Sequence, residues 1–211
     1  MTTAPVVATE TRARLIDATI ECILEEGFYR ASSNRIAKRA GVTWGVIQHH
    51  FGTREGLLLA TFQAGMRELI DTLESAAIDG DTFEKRLEAL ADVIWSFYRR
   101  PRFVAYEELT LNLLRDPTID AATARLVRRQ QTKIGELLTN LANQVVDEDL
   151  AAVLPPLALF QILRGVAIGL VLTEAVPGRV RRAPEATDER RVLLDALAAL
   201  ARAHTDPGQA G

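Results

Sequence analysis

The sequence predicts an all-α protein with a small N-terminal helical unit and a larger C-terminal helical bundle. Two observations carry this. Apolar residues recur at intervals of three and four along most of the chain, and no segment alternates with the period of two that a half-buried strand requires. Helix boundaries are also punctuated, by Gly27 after two glutamates, by Asp81 with Glu84, and by Asp116-Pro117 and Pro155-Pro156. With 211 residues, 48% of them hydrophobic and 25% charged, the chain can bury a real core. A net charge of -3 excludes a protein that is basic all over and leaves a local basic surface open.

Residues 1–8 lack an apolar stretch behind a basic start, so they read as a disordered arm rather than a leader. In "TRARLIDATIECILEEGFY" the apolar positions Ile16, Ile20, Ile23, Leu24 and Phe28 form one stripe, and Gly27 suits a C-terminal cap. Cys22 is the one cysteine, so no internal disulfide forms and a reducing, cytoplasmic compartment is expected. Glu21, Glu25 and Glu26 surround it in sequence, the opposite of the electropositive setting that a reactive thiolate needs, so it reads as inert.

The next two helical patterns are short. Ser32 or Ser33 can cap "SNRIAKRA", Ala37 is small where two helices cross, Gly41 suits a turn with positive φ, and Thr43 can cap "WGVIQHHF". Ile36, Ala40, Val42, Ile47 and Phe51 face inward. This is a helix-turn-helix, and it closes a first domain at residues 9–53.

With Val46, Ile47 and Phe51 turned inward, Trp44, Gly45, Gln48 and His49 point outward and His50 lies nearer the boundary. A metal needs ligands that converge, whereas adjacent histidines diverge by about 100° on a helix of roughly 3.6 residues per turn. No metal and no cofactor are therefore expected. A solvated face is the plain alternative, although an exposed Trp beside Gln and His is unusual for solvent contact alone. A DNA groove suits these side chains. Gln pairs bidentately with adenine, His donates to phosphates or base acceptors, and Gly45 lets the backbone approach a phosphate.

The run "RIAKRAGVTWGVIQHHFGTREGLL", with "TRARLIDATIECILEEGFYRASSN" before it, resembles the DNA-binding domain of the TetR family of bacterial transcriptional regulators. The resemblance covers about the first quarter of the chain and rests on Ile36-Ala37, Ala40-Gly41-Val42-Thr43, Phe51 and "TREGLL" at fixed spacing. It implies that Ser33 and Asn34 open the supporting helix against the DNA backbone or a base edge. It implies that Thr43, Trp44, Gly45, Gln48, His49 and His50 lie in or beside the major groove. Arg54 stands where the family usually has a phosphate-binding lysine, and Gln48 where it most often has tyrosine. Arg54 keeps the charge, whereas Gln48 replaces a common phosphate contact, so the operator cannot be carried over from relatives. Arg12 and Arg14 read either as backbone or minor-groove contacts or as solvated side chains.

Residues 54–204 form the second domain, with a polar tail at 205–211. A long helix runs from Arg54 to about Ser75, a second from the Asp81 and Glu84 capping box to near Arg99, and a third from Asp116-Pro117 to about Val146. An apolar helix opens at Pro155-Pro156, a charged loop spans Pro177 to Asp188, and a last helix covers Ala186 to Ala203. Leu154 to Val176 is apolar nearly all round, but Gln161 and Arg164 interrupt it, so it reads as a helix buried against its own core and a second chain rather than a membrane span. The family resemblance implies a ligand-sensing bundle whose last two long helices pair across a two-fold axis. Gly165 and Gly169, four apart, agree with such a seam, or with close packing inside the protomer. Leu193 and Leu197 complete the candidate dimer interface. The stretch Val93 to Leu114 holds Trp95, Phe97, Tyr98, Phe103 and Tyr106, which build either a core or a cavity wall. Trp95, Tyr98, Phe103, Tyr106 and Phe160, with Asn112, Gln161 and Arg164 to orient a ligand, are the candidate effector site.

The function expected is a homodimeric repressor that leaves a palindromic operator when a mostly apolar small molecule binds. Its partners would be double-stranded DNA, that effector and a second copy, with no membrane. An activator or ligand-independent regulator of the same fold is the alternative. A helical protein-interaction module without DNA binding is an alternative of another class. A helical enzyme finds no support in any phosphate loop, metal spacing or activated nucleophile.

Overall fold

The computed structural model describes residues 4–115, 119–175 and 188–205, which hold ten α-helices and no strand. They are α1 (Ala4–Glu26), α2 (Ser33–Arg39), α3 (Trp44–Phe51), α4 (Arg54–Glu74), α5 (Phe83–Tyr98), α6 (Arg102–Arg115), α7 (Ala121–Asn143), α8 (Glu148–Ala151), α9 (Pro156–Ala175) and α10 (Glu189–Thr205). The chain divides into two compact units. One comprises Met1–Leu69 with Pro101–Thr132, the other Ile70–Arg100 with Lys133–Gly211. The division at residues 53 and 54 remains a proposal about role.

Several boundaries depart from the sequence reading, each for a local reason. α1 starts at Ala4, so the arm expected over residues 1–8 is helical from there on. Pro5 is compatible with that start because the first helical turn needs no N–H from it. α5 is capped by Thr82, whose hydroxyl accepts from the Lys85 N–H at 3.3 Å, while Asp81 instead pairs with Lys85 Nζ at 2.7 Å. α7 opens at Ala121 under Asp120, whose carboxylate accepts the Ala122 and Thr123 N–H groups at 2.8 and 3.0 Å. The expected opening at Asp116-Pro117 lies outside the described residues, as do most of the charged loop from Pro177 and the tail beyond Thr205. The aromatic run from Val93 to Leu114 is divided at Pro101 between α5 and α6.

In the first unit, α1 packs on α2 and α6, and α2 on α3. Leu15, Ala18, Ile20, Cys22 and Ile23 are buried on α1, whereas Leu24 is exposed and Ile16 half-buried, so the inward stripe is rotated from the one expected. Ile36, Ile47, Leu57, Phe62, Phe103 and Leu109 complete this core. Each such side chain contributes about 1.5–3 kcal/mol relative to exposure. Thr19 and Thr61 are fully buried, but their hydroxyls donate to the Leu15 and Leu57 carbonyls at 2.8 and 2.9 Å, so no polar atom is stranded.

In the second unit, α5 packs against both α9 and α10, and α8 against α10. Leu87, Leu90, Ile94, Trp95 and Tyr98 meet a core that includes Leu159, Phe160, Leu163, Leu194 and Leu197. Arg86 donates to the Val145 carbonyl at 3.2 and 3.3 Å, and Arg202 pairs with Glu84 at 2.8 Å. Leu197, expected at a dimer interface, is buried in its own unit, and Leu193 is half-buried. The reason is register: Leu194, Leu197, Ala198 and Ala201 share the inner face of α10, which leaves Val192, Ala196 and Leu200 outside. By length and composition α9 could cross a membrane, and its window Pro156–Thr173 is 22% buried. That low burial reflects a bare outer face.

Candidate DNA interface

Gly41 turns the chain with φ +65°, and the Val42 N–H donates to the Ala37 carbonyl at 3.0 Å, closing α2 against the turn. Gly52, at φ +76°, ends α3 with its N–H on the Gln48 carbonyl at 2.9 Å. Between these turns Ile36 and Ile47 are fully buried and fix the rotation of both helices. Thr43, Trp44, Gly45, Gln48 and His49 consequently face solvent, with Trp44 37% exposed, and His50 is half-buried. On α2, Asn34 is exposed and Ser33 half-buried. The His49 and His50 rings meet edge to face at 5.2 Å, and no His, Cys, Asp and Glu cluster able to hold a metal occurs among the described residues.

Ser32 and Thr43 occupy the two N-cap positions in extended backbone, as expected, but neither hydroxyl makes a cap bond. The first-turn N–H groups of α3 thus lack a side-chain acceptor, and Gly45 has no side chain to cover them. A phosphate oxygen is the partner such a helix start favours.

Arg54 departs most from expectation. Its Nε donates to the Ala31 carbonyl at 3.1 Å, its Nη2 to the Phe28 carbonyl at 3.0 Å, and its guanidinium lies 5.2 Å from the Phe28 ring centre. The side chain clamps the α1–α2 loop to the start of α4. Arg54→Ala is therefore expected to lower stability by about 1.5–3 kcal/mol, the range for hydrogen bonds from a charged donor. At this chain length each 1 kcal/mol lowers the melting temperature by about 2–4 °C. An unchanged melting curve with a salt slope of DNA binding reduced by about 1 would return Arg54 to the phosphate role.

Arg12 is a second clamp that sequence spacing did not reveal. Its Nη1 donates to the His50 carbonyl at 2.9 Å, and its guanidinium covers the Phe51 ring at 4.3 Å. A cation at a helix C-terminus is favoured by the helix dipole, so α1 holds the end of α3 in place. The remaining charge is partly neutralised. Arg39 bonds to both Glu25 and Glu21, and Arg35 to Glu26. The Arg39 bond holds the Glu25 carboxyl below its usual range. Burial pushes the Cys22 thiol up, which keeps it protonated at neutral pH and fits its reading as inert. Glu108 on α6 accepts the Phe28 N–H at 2.8 Å, and Arg102 pairs with Asp17 at 2.9 Å. Partners 80 and 85 residues apart in sequence leave no local signal. Tyr29, 86% exposed in the same loop, was likewise not singled out from sequence.

The candidate effector residues fall in both units. In the first, Phe103 and Tyr106 are buried, and the Asn112 amide donates to the Glu108 backbone carbonyl at 2.7 Å within α6. In the second, Trp95, Tyr98 and Phe160 are buried, and Arg164 Nε donates to the Tyr98 hydroxyl at 2.9 Å. Gln161 is exposed on the same face of α9 as Gly165 and Gly169, so it does not point into the core of its unit.

Residues 15–61 match the model of a family described as bacterial regulatory proteins, tetR family. This part of the chain is similar to the TetR family. The HTH-type transcriptional regulator BetI of Escherichia coli O17:K52:H18 is 41% identical over 87 residues, 38% of this chain and 43% of that protein. The chain thus aligns with less than half the length of the curated relatives it matches. Solved structures of similar fold extend over nearly the whole chain. The multidrug binding protein EbrR, solved with imidazole, has a TM-score of 0.58 at 22% identity, covering 90% of this chain and 89% of that one. The regulator FadR of Bacillus subtilis, solved with stearoyl-CoA, has a TM-score of 0.55 at 17% identity, covering 90% and 96%. At these identities the likeness concerns the fold alone.

Proposed function

We propose that this chain is a cytoplasmic, homodimeric transcriptional regulator of the TetR family that represses from a palindromic operator and is released by a mostly apolar small molecule. The observation that carries the reading is the α3 face. Trp44, Gln48 and His49 are held outward by fully buried Ile36 and Ile47 across the Gly41 turn. Two such helices in successive major grooves would stand about 34–36 Å apart. EbrR and FadR are solved with unlike ligands, so neither ligand is carried over to this chain. Selection of bound duplexes from a random pool tests the reading. An enriched palindrome supports it, and the absence of any enriched sequence overturns it.

Within that operator, Gln48→Ala or His49→Ala is expected to relax the preference at one base-pair position by about 1–3 kcal/mol. Non-specific affinity should change little, because phosphate contacts position a protein without reading bases. Competition with point-changed operators measures this. Equal loss across all operators would assign these side chains to the backbone.

A further inference from the structure

We propose that the loop between α1 and α2 carries a further DNA contact, in which the Arg30 guanidinium and the Tyr29 hydroxyl hold one backbone phosphate. The contact rests on the DNA-binding reading above and adds a site to it. The loop is fixed from several sides. Gly27, at φ +81°, ends α1, and its carbonyl accepts the Arg30 and Ala31 N–H groups, both at 3.2 Å. The Ser32 N–H donates to the Arg30 carbonyl at 2.7 Å. Glu108 on α6 takes the Phe28 N–H, and Arg54 on α4 binds the Phe28 and Ala31 carbonyls on either side of Tyr29 and Arg30. The Phe28 ring is buried, with the Tyr29 ring edge-on to it at 5.4 Å. Held in this way, the loop still turns Tyr29 out to 86% exposure, beside an exposed Arg30.

Location and charge select the occupant. Arg54 is the residue expected at a phosphate, yet its Nε and Nη2 are turned onto this loop. The loop therefore stands where that phosphate is expected, and Ser33 and Asn34, expected against the DNA backbone, follow it directly in the chain. Glu26, the nearest acid in sequence, is taken by Arg35, and Glu108 by the Phe28 N–H. Arg30 is left without an ion-pair partner among the described residues. A single exposed aromatic is ordinary on a surface. A fixed loop that offers a phenol and an unpaired guanidinium side by side suits one phosphate, whose oxygens accept from both. Because the backbone is ordered beforehand, little conformational entropy opposes the contact. An apolar protein surface could cover the Tyr29 ring, but it would bury the Arg30 charge unpaired, which is costly. That argument decides for the DNA backbone.

Fluorescence anisotropy of the full chain tests the contact, with two labelled duplexes: the operator recovered by selection and one of random sequence. Arg30→Gln is expected to weaken binding to both by about tenfold and to lower the magnitude of the salt slope by about 1. Arg30→Lys should restore the slope. Tyr29→Phe should weaken both duplexes alike and leave the slope unchanged, because a neutral hydroxyl displaces no counterion. Melting temperatures should stay at the wild-type value, since both side chains are exposed. Single methylphosphonate linkages then locate the phosphate: one linkage should weaken the wild type and leave Arg30→Gln unaffected. Wild-type affinity and slope in both variants, a changed base preference in place of uniform loss, or no linkage that separates wild type from Arg30→Gln would overturn the contact. A wild type that binds neither duplex would remove the DNA-binding reading and this contact together, whereas variants that match a DNA-binding wild type remove the contact alone.

Discussion

Gly65→Ala is expected to destabilise the protein by about 1–3 kcal/mol, the cost of overpacking. In an open helix the same change would stabilise it by about 1 kcal/mol. Packing reverses the sign. A methyl group at Gly65 would lie 2.5 Å from Cζ and 2.7 Å from Cδ1 of Tyr106, well inside the ~3.5–4.0 Å of ordinary carbon contact. The ring has little freedom to move, since Tyr106 is 4% exposed and its hydroxyl bonds with Arg102. Thermal melting should fall by several degrees, at about 2–4 °C per kcal/mol for a chain of this length. In the Tyr106→Leu background the alanine should cost less, because the two positions share one contact and are coupled. A Gly65→Ala protein that melts at or above the wild-type temperature would refute the packing. The same contact explains why Tyr106 builds the first unit's core.

What was legible in the sequence was local. The helix-turn-helix follows from a turn glycine, two flanking helical patterns and inward residues a few positions apart, and Gly41, Ile36 and Ile47 stand where that pattern puts them. Outward orientation of Gln48 and His49 follows from the same register. Roles set by distant partners were not legible. For Arg54 the family resemblance implies a phosphate contact, and nothing near it in sequence reveals the Phe28 and Ala31 carbonyls that it also meets. Phe103 reads from sequence as core or cavity wall and Gln161 as a group that orients a ligand; Phe103 is buried in its unit, whereas Gln161 faces outward. Composition alone could not separate them, since the choice depends on which helix packs on which face. Leu197 failed for the same reason: in an amphipathic helix the larger apolar residues seek the nearest core, and the weaker stripe of Val192, Ala196 and Leu200 is left outside.

Gly165→Leu is expected to leave the protomer folded, or slightly stabilise it, while splitting the proposed dimer. Nothing lies within 4 Å of a Cβ placed at Gly165 or Gly169, so each protomer has room for the larger side chain. Removing glycine from a helix interior favours the helix by up to about 1 kcal/mol. The dimer should respond in the opposite direction. On α9 the exposed face runs through Leu157, Gln161, Gly165, Gly169 and Leu172, apolar apart from Gln161. Contiguous apolar surface of this kind marks association. In a two-fold seam the substituted position occurs on both sides, and overpacking costs about 1–3 kcal/mol at each. Sedimentation at micromolar concentration should show the wild type as a dimer and Gly165→Leu as a monomer with an equal or higher unfolding temperature in its monomeric form. The variant should then bind a palindrome no more tightly than a single half-site, because the second α3 is no longer delivered with the first. A variant that loses protomer stability while remaining a dimer would place Gly165 inside the protomer's own packing. A monomeric wild type that binds one half-site fully would remove the seam altogether.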